Sequence, residues 1–381
     1  MEALRHPASI FIVQILVYLS VPACSSIPRI SGAPAVVRTP AVVASYPGAV
    51  TRVSFSPDGT RLAAGGPDNS FRIYRAETWE EEGTVGTRSA HIRDIGWNPA
   101  GDRLAVATNE GLHVYGFPSG KEIRFIGVNP PAVPGGPVVS VAAPPEFLWS
   151  PGGDRIALSG FDNAAVRVYS GGALEEEIVL EGHYKAVTSM TWDPEGRLST
   201  ASRDGTVRRW EVESGKWEFL TPNLGQGSIR LARLDPIGAL ATMAYGDTAV
   251  LVWDLRSGKL QKKVMSSTPL VLFRPSRDSR MMALADTERS IRIRGVPGWD
   301  TLRVLTAEGT VEECRWSPDG RHLAGRAAGD AAVTVWDVTT GDPVRLWARG
   351  DEMISMDWSP DGRRLVTGSR TGKIREWTLA P

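Results

Sequence analysis

A single turn phrase recurs along the chain and limits what it can fold into. Its cleanest copy is Phe55-Ser56-Pro57-Asp58-Gly59. Others read Trp97-Asn98-Pro99-Ala100-Gly101, Trp149-Ser150-Pro151-Gly152-Gly153, Trp192-Asp193-Pro194-Glu195-Gly196, Trp316-Ser317-Pro318-Asp319-Gly320 and Trp358-Ser359-Pro360-Asp361-Gly362. Two divergent copies are read at Leu234-Asp235-Pro236-Ile237-Gly238 and Phe273-Arg274-Pro275-Ser276-Arg277. The prolines fall at 57, 99, 151, 194, 236, 275, 318 and 360, in steps of 42, 52, 43, 42, 39, 43 and 42. A period in the low forties marks a structural repeat.

Proline presets φ for the first turn position, Ser and Asp bond back to nearby amides, and Gly accepts φ > 0. Apolar stretches on both sides, 50–55 before the first copy and 62–66 after it, make the phrase a hairpin connector. Each repeat continues into a third segment, at 71–74, 112–115, 166–169, 207–210, 250–253, 291–294, 333–336 and 374–377. These alternate with period two, so they read as strands. A fourth strand is expected near 81–85 and its counterparts. The 40 Gly and 27 Pro among 381 residues suit many short strands joined by tight turns. The expected class is all-β.

The third strands ending in Trp253-Asp254 and Trp336-Asp337, with Gly182-His183 ahead of the fourth repeat, resemble the WD-repeat β-propeller family over residues 41–381. The resemblance implies four-stranded antiparallel blades. It also implies a buried hydrogen-bonded tetrad, which only the fourth repeat carries whole: His183, Thr200 or Ser202, Asp204 and Trp210. The turn acid of that tetrad is matched at Asp68, Asp247 and Asp330, but is Asn109 in the second repeat and Thr371 in the last. The family role of these residues is structural, so His183 and Asp204 are not read as catalytic. Little sequence follows Trp377 to supply a last outer strand, while 41–45 has no partner in its own repeat. In the family the N-terminal strand completes the final blade, which here predicts eight blades. A seven-bladed closure would leave one repeat outside the ring.

Ahead of the repeats, Arg5 and His6 precede an apolar run at 10–21, then Pro22, Ala23 and Cys24. This pattern reads as a signal peptide over 1–23. Val21-Pro22-Ala23-Cys24 resembles a bacterial lipoprotein box, which implies lipidation of Cys24; Val21 and Ala23 also suit an ordinary signal peptidase. Ser25 after the cysteine implies an outer-membrane lipoprotein facing the periplasm, with a soluble periplasmic or secreted protein as the alternative. Residues 24–40, rich in Pro and small side chains, read as a flexible tether. No apolar stretch of 18 or more residues follows.

The one long step contains a Pro-rich insertion at 127–146, either a docking loop or a tolerated surface insertion. The loops before the first strands carry candidate partner contacts at His91, Tyr184, Lys185, Asp351 and Glu352. Arg209 and Glu376 stand where most third strands have Val or Ile, which places them at a wet rim or in a functional channel. Cys314 reads as a buried small hydrophobe.

With 43 basic and 43 acidic residues the chain has no electrostatic footprint for nucleic acid. Its two cysteines make neither a disulfide framework nor a zinc site. No Gly-Xaa-Ser-Xaa-Gly elbow or phosphate loop occurs, so no catalytic residue, metal or cofactor is expected. The reading is a monomeric, non-catalytic scaffold of the cell envelope. It binds proteins on the propeller top face and touches membrane only through its lipid. The alternatives are a binder of envelope glycans or small ligands, and a lactonase-like hydrolase.

Overall fold

The turn phrase closes as its chemistry requires. In the first copy Ser56 Oγ donates to Asp58 Oδ1 at 2.6 Å and accepts the Arg61 N–H at 3.0 Å. Asp58 Oδ1 also accepts the Thr60 N–H at 3.0 Å, and Gly59 takes φ 71°. Ser317 with Asp319 repeats this, and Asn98 replaces it in the second copy by accepting the N–H groups of Asp102 and Arg103. The turn bonds are all made within five residues of one another.

The computed structural model describes residues 41–87, 91–127, 146–160, 164–221, 229–235, 240–245 and 248–379. In the first repeat strands a to d are Arg52–Phe55, Arg61–Gly65, Ser70–Arg75 and Glu81–Gly86, hydrogen-bonded in that order. Six further sheets repeat the a-b-c-d order. The eighth is Met353–Trp358, Arg364–Ser369 and Lys373–Thr378, with Ala41–Ser45 as its outer strand. Ala41 lies opposite Glu376 and Ser45 opposite Lys373, antiparallel. The eight sheets are the blades of a β-propeller, and the first strand of the fold is built into its last blade. Among the described residues no helix is long and apolar enough to cross a membrane.

The apolar core lies between blades. Tyr46, Val50, Val53, Phe55, Val366 and Ile374 form one cluster joining blade 8 to blade 1. Strand b is rich in small residues because the next blade's strand a presses on it. A Cβ added at Gly65 would stand 2.7 Å from Ile95 and 2.8 Å from Ile92. That spacing has no room for a side chain.

The tryptophans of the phrase also hold the ring. Each indole N–H reaches back to a carbonyl of the preceding blade: Trp97 to Ser54 at 3.2 Å, Trp149 to Gly96 at 3.3 Å and Trp192 to Leu148 at 3.3 Å. Trp316 reaches Arg274 at 2.9 Å and Trp358 reaches Arg315 at 3.1 Å. Blade 1 has Phe55 in place of that tryptophan, and there the Phe55 backbone N–H donates to Asp357 Oδ2 of blade 8 at 2.9 Å.

Blade 6 departs from the sequence alignment. Its strand a, Leu270–Pro275, sets Pro275 opposite Met282, the place Trp316 takes opposite Leu323. Ser276 Oγ bonds Asp278 at 2.7 Å, and Ser279 adopts the left-handed φ, 57°, that Gly takes elsewhere. The phrase is therefore Pro275-Ser276-Arg277-Asp278-Ser279, shifted by two residues from the reading that matched prolines. The serine hydroxyl, which makes the turn bonds, sets the register. Arg277 thus stands where the other turns have proline.

Candidate functional site

The fourth blade, Val187–Trp192, Leu198–Ser202, Val207–Glu211 and Lys216–Phe219, brings together a buried polar chain. Trp210 Nε1 donates to Thr200 Oγ1 at 2.8 Å. Thr200 Oγ1 lies 2.7 Å from His183 Nε2, and His183 Nδ1 lies 2.7 Å from Asp204 Oδ2. Bonds to His183 and Thr206 outweigh burial and hold the Asp204 carboxyl down at about 2, so it is an acceptor. His183 Nδ1 then carries the proton, Nε2 accepts, and the Thr200 hydroxyl donates to it. Burial lowers the His183 pKa from its usual value, against the pull of Asp204, which keeps the ring neutral. Every donor points one way along the chain and none is spare. Ser202 serves differently: its hydroxyl donates to the Lys185 carbonyl at 2.8 Å and accepts the Asp204 N–H at 3.1 Å, clamping loop to turn.

Other blades rebuild this position with different parts. Asp68 accepts the Tyr46 hydroxyl, whose pKa is raised by burial and by that bond. Asp330 accepts the Ala332 N–H at 3.0 Å and Arg345 Nη2 at 2.6 Å. Blade 6 uses Asp286, fully buried, which accepts from Ser290 and Arg292. Sequence reasoning missed Asp286 because it ends strand b rather than lying three residues before strand c. Asp247, Cys24 with residues 1–40, and residues 128–145 of the insertion lie outside the described residues.

Asp351 was expected among the exposed partner contacts, and the structure corrects this. It is buried, accepting Arg375 Nη1 at 2.6 Å and the Thr371 N–H at 3.3 Å. Blade 8 has Thr371 where a turn acid would stand, and the loop before strand a supplies the carboxylate instead. Glu352 is half-buried and accepts Arg370 Nε at 2.6 Å. Lys185 is half-buried, while His91 and Tyr184 are exposed, Tyr184 by 47%. The Tyr184 hydroxyl donates to the Asp204 carbonyl at 3.1 Å. Backbone bonds from Arg203 to Ala186 and from Arg370 to Glu352 pin the loops before strand a onto the b–c turns. Tyr184 therefore projects from the end of the blade that carries the tetrad.

The channel-facing strands hold a separate set of charges. Arg52 lies 3.5 Å from Asp94, and Arg315 lies 3.1 Å from Glu313 and 3.7 Å from Asp357. Burial raises the Asp357 carboxyl above its usual range against the pull of Arg315. Arg209 pairs with Glu218 on strand d and Glu376 with Arg364 on strand b, so neither joins the channel charges. Cys314 is buried, and burial pushes its thiol up to about 12.

Four segments, 41–75, 175–211, 299–337 and 345–378, match the WD domain, G-beta repeat model. The chain is 24% identical over 353 residues to a Chlamydomonas reinhardtii ribosome biogenesis protein WDR12 homolog, covering 87% of this chain and 65% of that one. It is 27% identical over 217 residues to WD repeat-containing protein 1 of Xenopus tropicalis, covering 52% of this chain and 32% of that one. It thus spans less than two thirds of either relative's length. The crystal structure of the computationally designed Ika8 protein superposes with a TM-score of 0.67 at 15% identity, covering 88% of this chain and 98% of that one. That likeness concerns the fold alone.

Proposed function

We propose that this WD-repeat propeller is a non-catalytic scaffold that holds protein partners on the face carrying the loops before strand a and the b–c turns. The observation that carries the reading is the spent polar chain of blade 4. Both nitrogens of His183 are engaged, and Thr200 is buried between His183 and Trp210. A nucleophile or general base needs a free lone pair and access to substrate; here the same groups fix Tyr184 and the turn at Asp204 as a preformed edge. Exposed Tyr184 and His91 are the anchors of that face, an aromatic and an amphipathic ring of the kind enriched at interface centres.

The scaffold works in the cell envelope, attached by a lipid on Cys24 and carried on the 24–40 segment as a tether. What supports this is the sequence: the apolar run at 10–21 followed by Val21-Pro22-Ala23-Cys24. Nucleic acid is not a partner, given the charge balance.

The test is site-specific photocrosslinking in the native cell with the probe at Tyr184 or His91, against probes on the opposite face at Glu195 or Arg363. Crosslinks confined to the first pair support the reading. Equal yields from both faces, or none from Tyr184 and His91, remove it. Fractionation of wild type and Cys24→Ala tests the anchor: intact mass of a lipid-modified Cys24 in membranes, lost in the variant, supports it, and a soluble wild-type chain removes it.

A further inference from the structure

At the end of the channel where the a–b turns of blades 6, 7, 8 and 1 converge lies a cavity of about 680 Å³. This is the face opposite Tyr184. The volume falls within the roughly 300–1,000 Å³ of small-molecule sites. Phe55, Trp316 and Trp358 form apolar walls, with turn prolines at its rim. Its charged lining is Arg274, Arg277, Arg315 and Asp357, three guanidinium groups against one carboxylate.

The three arginines differ in what they already hold. Arg315 is engaged by Glu313 and Asp357. Arg274 and Arg277 have no ion pair and no side-chain hydrogen bond among the described residues, although Arg274 is half-buried. Asp357 is turned to the Phe55 N–H through Oδ2 and to Arg315 through Oδ1, and pairs with neither Arg274 nor Arg277. Arg277 is out of pattern, since the other turns have proline at its place, whereas Arg274 takes in blade 6 the place that Arg315 takes in blade 7. Neither arginine is needed for the turn bonds, which Ser276 and Asp278 make. An arginine fork left open in a partly enclosed cavity matches a planar or tetrahedral oxyanion in two-point contact.

We propose that this cavity binds a small polyanion carrying at least two phosphoryl or carboxylate groups, held directly by Arg274 and Arg277 with Arg315 behind them. A concave, aromatic-walled cavity at a channel mouth favours a compact molecule over an extended acidic segment of a protein. The site goes beyond the scaffold reading and stands or falls apart from it.

The experiment is isothermal titration of the full chain with inorganic pyrophosphate and, separately, citrate, at two salt concentrations. Wild type is expected to bind one equivalent, and Arg274→Ala/Arg277→Ala to bind at least tenfold more weakly with unchanged near-UV circular dichroism. Tighter binding of pyrophosphate assigns the phosphoryl class, and tighter binding of citrate the carboxylate class. The charge-matched control Arg280→Ala/Arg349→Ala, two exposed arginines outside the cavity, is expected to keep wild-type affinity. Binding of neither anion, equal loss in the control, or binding only of a poly-glutamate peptide overturns the proposal.

Discussion

The carboxylate of Asp357, in the last complete inner strand, accepts the backbone N–H of Phe55, in the first, at 2.9 Å. The two residues are 302 positions apart, and the bond lies at the seam where the ring closes. It stands where blades 2, 3, 4, 7 and 8 use an indole N–H, so at this seam one carboxylate substitutes for a tryptophan. Ser355 adds a second tie across the seam, donating to the Val50 carbonyl at 2.7 Å.

Asp357→Ala leaves the Phe55 N–H unpaired and takes one carboxylate from Arg315. The expected loss is about 1–3 kcal/mol, the cost of a buried donor left unsatisfied. Asp357→Asn keeps an acceptor oxygen and is expected to lose less. Urea denaturation orders the two variants, and equal losses would show that the Phe55 bond is not what matters.

Thr200→Val removes a hydroxyl of nearly the same volume that both Trp210 and His183 use. Two buried groups lose their partner, for an expected loss of about 2–4 kcal/mol. Thr200→Ser retains the hydroxyl and is expected to recover most of it. The readout is the denaturation midpoint at constant m-value.

Asp351→Ala strands Arg375 in the interior, and breaking a buried pair in this way costs about 3–5 kcal/mol. Glu352→Ala, one position on, breaks an exposed pair with Arg370 and is expected to cost far less. Thermal denaturation of the two single variants separates an internal carboxylate from a surface one.

Acid should destabilise the protein through blade 4. Asp204 has a folded pKa of about 2, below its ordinary 3.8, and that of His183 lies below its ordinary 6.5. Both groups bind more protons when unfolded, so stability rises with pH. The His183 share is complete above 6.5 and is lost as pH falls below it; the Asp204 share is lost between 3.8 and about 2. His183→Asn is expected to flatten the dependence of denaturant stability between pH 7.5 and 5. An unchanged slope would move the effect elsewhere.

Deleting residues 41–45 exposes the edge of Lys373–Thr378, which Ala41–Ser45 now covers. An uncovered edge strand templates pairing with another chain. Size-exclusion chromatography is expected to show oligomers or aggregate for the deletion and a single monomer peak for the chain that retains the strand.

The local turn chemistry and the period-two alternation were legible in the sequence, since Ser, Pro, Asp and Gly act within five residues of one another. The repeat count followed, as did the assignment of 41–45 to the last blade, because eight inner hairpins require eight outer strands. The blade 6 register was not legible: matching prolines placed Pro275 in the turn, whereas the hydroxyl of Ser276 and the pairing of Pro275 with Met282 fix it two residues later. Nor was the role of Asp351, which looks like a loop acid in sequence and becomes a core partner only when strand c of the same blade brings Arg375 beneath it. The sequence by itself determined the hairpins and the all-β class, products of short-range bonding and strong periodicity; the blade 4 tetrad was implied only by the family resemblance, and the structure chose Thr200 over Ser202 as the hydroxyl between His183 and Trp210. Only the tertiary structure decided which charges meet. Ring closure sets Asp357 against Phe55 and gathers Arg274, Arg277 and Arg315 around one cavity, because those contacts depend on the angle and depth of whole blades rather than on spacing along the chain.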